Sequence, residues 1–137
     1  MNRRETEIIL EAFAAQLEEN KLPPIELLIC GGAALNLMGF IDRATKDIDV
    51  VASIKDEAGG KKTVSKASLS LPSLNAIIAT IASDFDLPKN WLNSGPESVL
   101  DLGMPEGFLE RVETRTYGKQ LTIHLLGRRD QIFFKFY

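Results

Sequence analysis

Two aspartates, Asp47 and Asp49, stand two residues apart in the run Arg43-Ala44-Thr45-Lys46-Asp47-Ile48-Asp49-Val50-Val51. On an extended strand that spacing sends both carboxylates to one face, and Ile48 and Val50 to the other. Like charges held so close repel, and a hard, oxygen-seeking divalent cation such as magnesium relieves the repulsion. Upstream, the apolar run Leu27-Leu28-Ile29-Cys30 passes into Gly31-Gly32 and then into the helix formers Ala33-Ala34-Leu35. A turn without side chains beside a helix N-terminus suits an anion. A phosphate site and a metal site joined by one short helix predict a pocket for a metal-bound nucleotide.

The elements that must position these groups follow from periodicity. From Arg4 to Glu19 the residues Ile8, Ile9, Ala12, Phe13, Ala15 and Leu17 recur at helical spacing with glutamates between them, which predicts an amphipathic helix packed on the domain. Pro23 and Pro24 close the connection, and the nearly continuous apolar stretch from Glu26 to Cys30 reads as a central strand covered on both faces. A short helix from Gly32 or Ala33 to about Met38 ends at Gly39, suited to a left-handed cap. The loop from Asp42 to Lys46 then delivers an aspartate strand, Asp47 to Ala52.

Residues 53–70 are polar, with Gly59-Gly60 and the lysines Lys55, Lys61, Lys62 and Lys66, and read as a mobile loop. Pro72 opens a helix to about Ser83 with Leu74, Ile77, Ile78 and Ile81 on one side. Residues 87–107 read as irregular. Trp91 lies there, either a base-stacking surface or, more simply, a plug for the core. Leu109 to Tyr117 and Gln120 to Leu126 predict a hairpin turning at Gly118-Lys119. Asp130 is expected to N-cap a last helix of Ile132, Phe133, Phe134 and Phe136. That helix is cut in mid-period at Tyr137, so a truncated chain or a partner covering its apolar face is expected.

The 137 residues, 45% of them hydrophobic, suffice for a single packed domain. With one cysteine, Cys30, no intramolecular disulfide forms, and a buried, inert thiol in a reducing cytoplasm is expected. The N-terminal stretch alternates glutamates with apolar residues, giving neither a signal peptide nor a membrane span. A net charge of -3 means that any polynucleotide must be held by a local basic patch.

The strand-Gly31-Gly32-helix unit followed by Arg43-x-Thr45-x-Asp47-Ile48-Asp49 resembles the polymerase-beta-type nucleotidyltransferase superfamily, in particular its abortive-infection and toxin-antitoxin bacterial branch. The resemblance is strong over residues 25–52 and elsewhere extends to the order of elements and to a helical lysine, Lys135. It implies an α+β fold, a short mixed β-sheet with helices packed on one face. It also implies transfer of a nucleoside monophosphate from a nucleoside triphosphate to an acceptor hydroxyl, on RNA, protein or a small molecule, within a toxin-antitoxin or phage-defence system. Asp47 and Asp49 would bind Mg2+ or Mn2+. Gly31 and Gly32 would hold phosphate, assisted by Arg43, Thr45 and Lys135.

Arg43 equally suits a pairing with a nearby acid that fixes its loop, and Lys135 a solvated helix face. Fully active relatives carry one more acid on a neighbouring strand, whereas Gln120-Leu121-Thr122-Ile123-His124-Leu125-Leu126 contains none. His124 stands nearest that place as a third ligand or as an ordinary hydrogen-bonded residue, with Glu110 and Glu113 as other sources of the acid. The missing acid motivates an alternative: a nucleotide-binding or regulatory module of the same fold that has lost turnover.

Overall fold

The computed structural model describes residues 1–132, and the remainder of the expected last helix, Phe133, Phe134, Lys135 and Phe136 included, lies outside the described residues. The first helix, α1 (Arg3–Glu19), begins with a reciprocal cap: Glu5 N donates to Asn2 Oδ1 at 2.8 Å and Asn2 N donates to Glu5 Oε1 at 3.1 Å. After it come β1 (Ile25–Cys30), α2 (Gly31–Leu37) and β2 (Ile48–Asp56), then β3 (Lys62–Ser65), α3 (Pro72–Phe85) and the two-residue β4 (Leu92–Asn93). The chain continues through α4 (Val99–Leu102), the hairpin β5 (Glu113–Tyr117) and β6 (Leu121–Leu125), and α5 (Arg128–Ile132).

The strands form one mixed sheet in the order β3-β2-β1-β6-β5, with β4 added to β2. β1 lies at its centre, antiparallel to β2 and parallel to β6. The helices α1, α2 and α3 bury Leu10, Phe13, Leu37 and Ile81 against Leu27, Ile29, Ile48, Val50 and Ile123 on one face, the α+β arrangement expected. Trp91 belongs to this core as a plug: it is fully buried, meets Phe13 edge-on at 5.8 Å, and donates its indole N–H to the Ile78 carbonyl at 2.9 Å. The other face carries a smaller cluster, Leu28, Val51, Ala52, Ile54 and Leu126, covered by residues such as Leu100, Phe108 and Val112.

Four expectations are corrected. Residues 53–65 are ordered as a hairpin in which Ile54 opposes Val64 and Lys55 opposes Thr63, turning through Gly59 and Gly60 at positive φ. The edge position of β3 lets it be polar, which concealed it from periodicity. The hairpin strand before Gly118 starts only at Glu113, because residues 108–110 form a 3-10 turn that folds Phe108 and Leu109 onto the sheet, and residues 87–107 contain β4 and α4. Asp130 does not cap α5: it lies within that helix, buried, gripped by Arg111 through Nε at 2.9 Å and Nη2 at 2.7 Å.

Candidate active site

The register of the sheet sets the site. Leu28 opposes Ala52 but Ile29 opposes Val50, so β2 carries a bulge at Val51. Bulges re-aim side chains, and this one puts Asp49 opposite Cys30. Asn93 is paired with Asp49 from the other side, so one rung of the sheet reads Asn93, Asp49, Cys30. The Asn93 side chain is itself fixed, its Oδ1 accepting from Gly95 N at 3.0 Å and its Nδ2 donating to the Asn90 carbonyl at 3.3 Å.

Asp47, the expected first residue of the strand, immediately precedes β2, which starts one residue later. Its charge and the burial of Asp49 both act on the Asp49 carboxyl. Desolvation first, then the Asp47 carboxylate, raise its pKa above the usual aspartate range, and a hydrogen bond from Asn93 partly opposes them. Burial, reinforced by Asp49, pushes the Cys30 thiol up to about 12, which makes it an inert wall, as expected of it.

Gly31 has φ +77°, and a Cβ there would sit 2.9 Å from Asp49 Oδ2. A Cβ on Gly32 would meet the Thr45 methyl at 2.6 Å. Gly31 is favoured by its positive φ, and both glycines accommodate the close approach of Asp49 and Thr45. That loop is anchored twice. Asn36, buried in α2, donates to the Arg43 carbonyl at 2.7 Å and accepts from Arg43 N at 3.3 Å, and Thr45 N donates to the Met1 carbonyl at 2.9 Å. The Thr45 methyl packs beside Gly32, and Arg43 is exposed.

A cleft of about 860 Å³ opens over Gly31, Gly32 and Asp49, with Arg43, Arg128 and Phe40 among its walls. Arg128 and Phe40 were absent from the sequence reading, since neither falls within a motif. The Arg128 guanidinium lies 5.2 Å from the centroid of the Phe40 ring. Gln131 was also missed. Its Oε1 accepts from Gly31 N at 2.8 Å while its Nε2 donates to the Leu126 carbonyl at 2.9 Å, so an acceptor oxygen already occupies the amide expected to meet phosphate.

His124 shares the sheet face of Asp49 but lies a rung away, opposite Leu28. Its Nε2 is 2.7 Å from Glu26 Oε1 and its Nδ1 3.0 Å from Thr114 Oγ1, so both ring nitrogens are engaged away from the aspartates. Glu113 is exposed beside Arg115 at 3.5 Å, and Glu110 belongs to the turn before β5. Lys135 lies outside the described residues.

The Asp49 carboxylate on the cleft wall, partly desolvated and repelled by the nearby Asp47, which is not itself among the lining residues, is a donor suited to a hard divalent ion beside open space for water and phosphate oxygens. Among the described residues no group of three or more His, Cys, Asp or Glu side chains is placed to hold a metal, so such an ion would draw its further ligands from substrate and water. Among the described residues no helix is long and apolar enough to cross a membrane.

No curated protein and no solved structure matches the chain. Residues 7–137, nearly its whole length, match the family model DUF6036, described as a nucleotidyltransferase of unknown function. With Gly31 closed against Asp49 and Gly32 against Thr45 beside the cleft, the chain belongs to that nucleotidyltransferase family.

Proposed function

We propose that the protein is a metal-dependent nucleotidyltransferase that uses a nucleoside triphosphate as donor and an acceptor hydroxyl as nucleophile. The observation that carries this reading is the contact between the side-chain-free Gly31 and the Asp49 carboxylate in a cleft that also presents Arg43 and Arg128. Acid and base both line that cleft, and a metal-bound polyphosphate needs both.

Asp47 and Asp49 would hold Mg2+ or Mn2+, which when bound lowers the pKa of the attacking hydroxyl and neutralises charge on the leaving pyrophosphate. The acceptor oxygen attacks the α-phosphorus and the bond from that phosphorus to the bridging oxygen of pyrophosphate breaks. The hydroxyl proton passes to solvent or to a carboxylate, and pyrophosphate departs with the electron pair. The chain contributes orientation. Asn93 holds Asp49, the Asn36 clamp holds the Arg43 loop, and the arginines complement the triphosphate charge. Gly31 lets Asp49 close on the turn, with Gln131 Oε1 yielding the Gly31 amide when phosphate arrives.

Incubation with each α-labelled nucleoside triphosphate, Mg2+ or Mn2+, and RNA or protein acceptors tests the proposal. Label transfer with stoichiometric pyrophosphate release is expected, lost in Asp47→Asn and Asp49→Asn. Unchanged transfer in both variants would overturn it. A second reading, a nucleotide-binding module without turnover, is favoured by one observation: His124, nearest the place of a third acid, is occupied by Glu26 and Thr114. Metal-dependent nucleotide binding without pyrophosphate release from any acceptor would select it.

A further inference from the structure

We propose that the Phe40–Arg128 pair is the nucleobase subsite of the cleft and that it takes the base by stacking, with little discrimination among the four bases. This rests on the nucleotide reading above and deepens it. Phe40 is 49% exposed, an uncommon position for a large aromatic ring in a chain whose Trp91 and Phe13 are fully buried. It follows the C-terminal end of α2, whose N-terminal end carries Gly31 beside Asp49. The helix has seven residues and is therefore about 10 Å long. That is of the order of the separation between the phosphate chain and the base of an extended nucleotide. The cleft follows α2 from end to end, touching Gly31, Gly32, Leu35 and Phe40.

The two ends differ in chemistry as the two ends of a nucleotide do. At the glycine end is Asp49, whereas the backbone of Arg43 is tied to α2 near that helix's other end. At this other end, Phe40 meets the guanidinium of Arg128, with the apolar Leu35 and Ile41 also on the walls. Aromatic rings and guanidinium planes both stack on bases, and every base has a π-face, so the base forms one more layer on an existing stack. The side chains named at this end offer no amide or carboxylate to read a base edge.

The test compares Mg2+-ATP with Mg2+-tripolyphosphate, which carries the phosphates but no base, by calorimetric titration of the full chain. The expected result is ATP binding about 10-fold tighter than tripolyphosphate, an advantage removed by Phe40→Ala and retained by Phe40→Tyr, with tripolyphosphate affinity unchanged in both. ATP, GTP, CTP and UTP should fall within about 10-fold of one another. Thermal melts of the variants should match the wild type, since the ring is half exposed. The proposal is overturned if Phe40→Ala leaves the ATP advantage intact, or if it weakens ATP and tripolyphosphate equally. A wild type that binds neither ligand, or an Asp49→Asn variant that binds both as before, would instead remove the underlying nucleotide reading.

Discussion

Two polar clusters lie on the same face of the sheet, and they are built on opposite principles. Around β1 and β6, Glu26 meets His124 at 2.7 Å, His124 meets Thr114 at 3.0 Å, and Lys62 completes the group with Asp56 at 2.7 Å and Glu26 at 3.7 Å. Each charge there has an opposite or a hydrogen-bonding partner within the chain. At the cleft, Asp49 is pressed by Asp47, desolvated, and crowded against Gly31, while Arg43 and Arg128 face open space. Groups left in conflict by the fold are those a ligand can satisfy, and groups satisfied by the fold hold it together. On that contrast we propose an architectural role for His124 and a chemical one for Asp49, both of them candidate metal ligands on sequence.

The sharpest way to break this contrast is to exchange the conflict for neutrality. Asp49→Asn should lower nucleotidyl transfer by at least about 100-fold, yet raise the melting temperature in metal-free buffer. The sign follows from the raised pKa. Between the unfolded and folded values the native state holds the proton more tightly, so stability falls as pH rises through that window, and the penalty is fully present at neutral pH. A lower melting temperature for the variant would show that Asp49 is not strained. His124→Ala should do the reverse, costing about 2 kcal/mol in urea unfolding by leaving Glu26 and Thr114 without their partner, with metal-nucleotide affinity unchanged in titration.

Gly31→Ala combines both effects. A residue other than glycine at φ +77° and a Cβ 2.9 Å from Asp49 Oδ2 should cost about 1–2 kcal/mol in stability and weaken metal binding measured by calorimetry. Asn93→Ala removes the bond that holds the Asp49 carboxyl down, so its pKa rises further. The acid limb of the activity profile should shift to higher pH, with the neutral-pH rate little affected. The smallest effect is expected at Lys62→Ala, whose ion pairs are largely solvated; thermal melts at low and high salt should barely separate it from wild type.

Much of the positioning scaffold could be read from local pattern. The helical period of Ile9, Phe13 and Leu17, the apolar run of β1, and Pro72 at the head of α3 each specify their element through neighbours a few residues away. The β2–β3 hairpin was misread because polar edge residues carry no burial signal, and Asp130 because a buried carboxylate is explained only by Arg111, nineteen residues earlier.

By itself the sequence determined the pairing of two acids with a glycine turn, because alternation along a strand and the freedom of glycine are local properties of the chain. Tertiary structure alone decided the rest. The bulge at Val51 aligned Asp49 with Cys30 and Asn93, the packing brought Asp49 against Gly31 and Thr45 against Gly32, and α5 carried Arg128 and Gln131 to a cleft whose opposite wall comes about a hundred residues earlier in the chain. Such contacts depend on the register and crossing of distant segments, which no short window of residues encodes.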